Sequence, residues 1–251
     1  MTNPLVPVTA AMVAAFAMVH LFIGRLAFLE TMPRSRWLSF SGGVAVAYVF
    51  LHVLPDLSEH QAFFGEQLGV TPTVAEITIH SLALIGLVIF YGLERAVRNS
   101  RAQSRSKGRG DQIEDHLEWV HVASYSLLNI LIGYLLLHRE SGAGLSLALY
   151  FVAMVLHFVT VDYGMRSDHR ESYRKRGRWI ISAAVVGGWV LGIFVEVPQL
   201  AVACLYAFLA GGIVLNVLKE ELPEDRQSSF LPFLIGAIVY SGLMVVESMI
   251  A

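Results

Sequence analysis

Runs of about 20 apolar residues recur from one end of this chain to the other, and that is the length an α-helix needs to cross the hydrocarbon core of a bilayer. Eight such spans are expected, at about 6–28, 37–57, 75–97, 117–137, 146–165, 179–195, 199–218 and 230–249. Of the 251 residues 55% are apolar and only 15% charged, against roughly 25% charged in soluble domains. No long polar stretch is left over to fold outside the membrane. The expected fold class is therefore all-α: one polytopic domain over 1–251, with eight transmembrane helices in contact with lipid. The first run has no Lys or Arg before Arg25, so it lacks the basic start of a signal peptide and reads as a true span.

The basic residues orient the bundle. Arg25, Arg34 and Arg36 follow the first span; Arg95, Arg98, Arg101, Arg105, Lys107 and Arg109 follow the third. Arg166, Arg170, Arg174, Lys175, Arg176 and Arg178 follow the fifth, and Lys219 and Arg226 the seventh. Only Arg139 falls on the other side. By the positive-inside rule these connections face the cytoplasm and both termini face out, as expected of a protein in a plasma (inner) membrane. The stretch RAVRNSRAQSRSKGRGD, rich in Arg, Ser and Gly, reads as a flexible basic cytoplasmic loop over about 98–115 that touches anionic lipid. The outer segment DLSEHQAFFGEQLGVTPT holds Asp56, Glu59 and Glu66 and no Lys or Arg, and reads as an outer loop or cation-collecting vestibule. The net charge of -2 gives no sign of a nucleic-acid partner, and the single cysteine, Cys204, can form no intrachain disulfide.

Ionisable side chains at membrane depth are costly unless paired, so each is a functional candidate. They are His20, His52, Asp56, His80, His121, His157 and Asp162, with the amide of Asn129. His20 and His80 read most simply as structural hydrogen-bond partners. At about 1.5 Å of rise per residue, Asn129 matches His157 in depth and His121 matches Asp162, which suggests a polar track from the midplane inward. His157 is expected to face Asn129. His157 and Asp162, five residues apart, stand about 140° apart on a straight helix and cannot share one ion without a kink or bulge. His52 and Asp56, four apart, would share a helix face. The pairs Gly42 and Gly43, Gly187 and Gly188, and Gly211 and Gly212 permit close helix contact or sliding. No HxxxH or HExxH lies on any span, and the histidines do not pair for haem, so no enzyme is expected.

SFSGGVAVAYVFLHVLPDL (39–57), HSLALIGLVIFYGLER (80–95) and LYAFLAGGIVLNVLKEELPE (205–224) together resemble the second, third and seventh helices of the ZIP (Zrt/Irt-like) family of divalent-metal transporters. His52, Pro55 and Asp56, and Leu222, Pro223 and Glu224, carry the match. The resemblance implies a ZIP-like helix bundle, cargo of the Zn, Fe or Mn class, a homodimer, and an elevator-type movement of spans one, four, five and six against the rest. In LNILIG (128–133), Asn129 and Gly133 match the family's helix-four motif, while Leu128 and Ile132 stand where it has His and an acid. In HFVTVD (157–162), His157 and Asp162 match the ends of the helix-five motif, while Phe158, Thr160 and Val161 replace its inner acid, proline and second His. Metal ligands, if present, would come from Asn129, His157, Asp162, His121, His52 and Asp56, with one midplane ion at most. The expected function is a divergent carrier for a divalent cation. The alternative is a non-transporting sensor, regulator or scaffold that has lost most ligands.

Overall fold

A computed structural model describes residues 5–25, 36–108, 115–138, 144–168, 173–221 and 229–250. Arg34, Arg109, Arg139, Arg170 and Arg226, and the motif residues Leu222, Pro223 and Glu224, lie outside the described residues. The described chain is helical, with no strand among the described residues. The helices are α1 (Val6–Phe22), α2 (Arg36–Tyr48), α3 (Leu54–Leu68), α4 (Pro72–Ser106), α5 (Asp115–Leu135), α6 (Leu145–Asp168), α7 (Arg178–Phe194), α8 (Gln199–Glu221) and α9 (Phe230–Ile250). A π-helical turn, Val49–Val53, joins α2 to α3 in one continuous rod. Among the described residues seven rods are long and apolar enough to cross a membrane. The eighth, α5, starts with Asp115 and Glu118 and packs among them, chiefly against α7.

Small residues decide which helices touch. A Cβ on Gly43 would strike the Phe233 carbonyl, and one on Gly236 the Phe40 carbonyl, so α2 and α9 cross backbone to backbone. Gly86 meets Phe208 and Gly211 meets Ala83 where α4 crosses α8. Gly133 meets Val185 and Gly188 meets Ile130 where α5 crosses α7. Each crossing is reciprocal, one glycine from each partner against the other's carbonyl. Such contacts gain dispersion energy that lipid chains cannot match. These three are also the most extensive helix pairs in the bundle. Adding α1 on α7, and α3 on α4 and α8, gives two groups: α1, α5 and α7 on one side, α2, α3, α4, α8 and α9 on the other. Helix α6 lies between them, against α1 on one side and α2 on the other. Of the glycine pairs in the sequence, Gly43, Gly188 and Gly211 therefore bind helices within a group, while Gly187 faces open space.

Three segments differ from expectation. The stretch after span two is not a loop: α3 continues to Leu68 and stops at Gly69, whose φ of 62° is the left-handed conformation that glycine adopts freely. Thr71 then caps α4, its hydroxyl accepting from the Val74 N–H at 3.4 Å, with Pro72 in the first turn where its missing N–H costs nothing. The basic stretch over 98–115 is not a flexible loop as far as Ser106, because α4 runs on through it. Its Ala, Arg and Gln residues are good helix formers, and the helix ends just before Gly108, at φ 67°. Finally, Pro55 cannot donate a backbone hydrogen bond and crowds the preceding turn. The rod absorbs this by widening: the Leu54 N–H bonds to the Val49 carbonyl five residues back, and His52 sits inside that π turn.

Candidate functional site

One end of the bundle gathers basic side chains, and helix pairing shows which helix ends meet there. Arg178, at the start of α7, donates to the carbonyl of Leu21 at the end of α1 (3.2 Å). Glu94 of α4 meets Lys219 at the end of α8 and His121 near the start of α5. Between this basic end and the opposite end the polar side chains fall into three clusters.

The deepest joins α1, α5 and α6. His20 Nδ1 lies 2.7 Å from Asp162 Oδ2, and His20 Nε2 lies 3.0 Å from Asn129 Oδ1. Asn129 Nδ2 donates to the Tyr125 carbonyl at 2.9 Å. A carbonyl only accepts, which turns the Asn129 oxygen toward His20, so Nε2 must carry a proton. All three side chains are buried, Asp162 and His20 at 1% exposure. Phe158 packs on the His20 ring, centroids 4.6 Å apart, and keeps water from the pair.

This arrangement corrects the expected pairing. Asn129 does not face His157: both ends of its amide are committed, to His20 and to the Tyr125 carbonyl. α5 and α6 are not close neighbours; α1 lends His20 to join them. His157 is buried beside Phe158 (centroids 6.0 Å) and lies within Coulombic range of Asp162 and His20. Asp162 is thus brought to Asn129 through His20, a residue that the spacing of the other spans could not point to. The one signal available was its place in the last turn of α1, on the buried side with Phe16.

The second cluster lies at the basic end. His121 Nε2 donates to Glu94 Oε1 at 2.9 Å, and Lys219 Nζ lies 2.7 Å from Glu94 Oε2. His121 therefore meets α4 and α8, not Asp162 as its depth suggested. On α5, His121, Tyr125 and Asn129 recur every four residues, one face of a helix, which links the two clusters. Tyr125 stacks edge-on to His121 (4.9 Å) and donates its hydroxyl to Asn216 Oδ1 of α8 at 3.0 Å.

The third lies toward the opposite end. His52 Nδ1 and the Tyr240 hydroxyl are hydrogen-bonded at 3.2 Å, and Asp56 Oδ2 accepts from the Tyr206 hydroxyl at 3.2 Å. These bonds take His52 to α9 and Asp56 to α8; His52 lies inside the π turn and Asp56 beyond it. Asp56, Glu59, His60 and His138 line a cavity of about 80 Å³ that descends between α3, α5, α6 and α8. Ile132, Met154 and Ile213 close its floor. One turn deeper on the same three helices come Asn129, His157 and Asn216. An apolar layer thus separates the cavity from the polar face of α5. His80, by contrast, is exposed on α4 and bonds its own helix at the Glu76 carbonyl, 2.9 Å away.

Among the described residues no three His, Cys, Asp or Glu side chains converge to hold a metal ion. Asn129, His157, Asp162, His121, His52 and Asp56 are therefore spread over three clusters and do not form one coordination sphere. Comparison with family models, with curated proteins and with solved structures finds no match for this chain.

Proposed function

We propose that this protein is a membrane carrier of ZIP-like architecture that moves a cation between the cavity at one end and the polar face of α5 at the other. What carries the reading is the position of the cavity: it lies where the two glycine-locked helix groups meet, above an apolar floor one turn thick. A seam of that kind is where one rigid group can move past the other. Eight spans put both termini on one side, and the positive-inside rule makes the basic end cytoplasmic and the cavity outward. Asp56 and Glu59 at its mouth concentrate cations. The resemblance makes the cargo a divalent metal of the Zn, Fe or Mn class and the working unit a homodimer. With few protein ligands on offer, such an ion would keep much of its water on the way in. The test is uptake into liposomes of purified protein across several divalent ions. Saturable uptake that needs Asp56 and Glu59 supports the reading; no uptake of any ion rejects it.

A second reading has its own observation. Leu128, Ile132, Phe158 and Val161, which stand at the family's ligand positions, are all buried and apolar. They favour a non-transporting relative, a sensor or scaffold that keeps the bundle and no longer binds metal. In that case purified protein gains no thermal stability from Zn, Fe or Mn and carries none.

A further inference from the structure

Side-chain hydrogen bonds cross from one helix group to the other at the basic end, and two of them leave from one face of α5. His121 donates to Glu94 on α4, and Tyr125 donates to Asn216 on α8. Glu94 is 6% exposed, and its second oxygen is taken by Lys219 of its own group, 2.7 Å away. A buried carboxylate so held is neutralised and fixed in direction before α5 arrives. Meanwhile the same two groups are parted at the other end by the cavity.

We propose that Glu94, steadied by Lys219, and Asn216 form the catch that keeps the basic end shut, and that the His121 and Tyr125 bonds break together when that end opens. The division of labour follows from the geometry. Lys219 and Glu94 stay together on α8 and α4, which Gly86 and Gly211 lock to each other. His121 and Tyr125, one turn apart on α5, leave as one face. The floor residue Ile213 lies on α8 one turn above Asn216, so opening the catch exposes it to the basic end. The inference rests on the carrier reading for its motion, but its test needs no cargo.

The test uses the full chain with Cys204→Ala and Ile213→Cys, in right-side-out and inverted membrane vesicles, with an impermeant thiol reagent. With the catch intact, Cys at 213 reacts mainly from the cavity end and only slowly from the basic end. Glu94→Gln and Tyr125→Phe should each make it react from the basic end about five- to tenfold faster, the effect of one ordinary hydrogen bond on a two-state balance. Thr78→Val, on the exposed face of α4, is the control and should change nothing. Tyr125→Phe removes a single oxygen, so it keeps the test alive if Glu94→Gln does not fold. Unchanged labelling from the basic end in Tyr125→Phe would overturn the catch. Uptake failing while the labelling switches would remove the carrier reading and leave the catch; uptake succeeding with unswitched labelling would do the reverse.

Discussion

His20 holds two other buried groups in place, so its removal should cost more than its own bonds. Replacing it with Phe strands the Asp162 carboxylate and the Asn129 amide oxygen in a dry interior. An unsatisfied buried polar group costs roughly 1–3 kcal/mol, more if charged. His20→Phe should therefore lower the unfolding midpoint in detergent sharply, while His80→Phe, on the exposed face of α4, should leave it nearly unchanged. Asp162→Asn should be milder than His20→Phe, because an amide N–H can donate to Nδ1. Equal midpoints for His20→Phe and His80→Phe would show that the triad is not holding the bundle. The membership of this cluster was half legible in the residues alone. Asn129 and Asp162 stood out because polar groups at that depth need partners. Depth, however, fixes height and not bearing, and only the placing of α1 against α6 and α7, with the His20 side chain reaching across to α5, makes His20 the partner instead of His157.

Among the elements, the reciprocal glycine crossings set the geometry. Gly43→Val or Gly211→Val would drive a side chain into the facing carbonyl of α9 or α4 and force the pair apart. Neither variant should give monodisperse protein after solubilisation. Gly187→Ala and Gly242→Ala point into open space and should be tolerated, with a gain of up to about 1 kcal/mol each from better helix propensity. Size-exclusion profiles of the four variants check the contrast. The sequence singled out Gly43, Gly188 and Gly211 but not their counterparts Gly236 and Gly86, and Gly187, which it paired with Gly188, faces open space. It also misplaced two helix ends, at Leu68 and Ser106, because a loss of apolar character marks where lipid stops and not where hydrogen bonding stops. The π turn at Val49–Val53 was signalled by Pro55, whose effect on the bearing of His52 needs the backbone to be seen.

At the scale of the molecule, orientation is the first thing to measure. Single cysteines at Gln103 and Lys175, in a Cys204→Ala background, should resist an impermeant reagent outside intact cells and react in inverted vesicles; labelling of either from outside would reverse the assignment. The length of α4 adds something else. Its 35 residues make a rod about 52 Å long, against a hydrocarbon core of about 30 Å. Some four turns must therefore stand clear of that core, and Asn99 to Ser106 form a shaft rigidly continuous with the bundle. Whatever docks on this shaft is carried at a set height and turns with α4, so a rotation inside the membrane would be broadcast into the aqueous phase as the swing of a pointer.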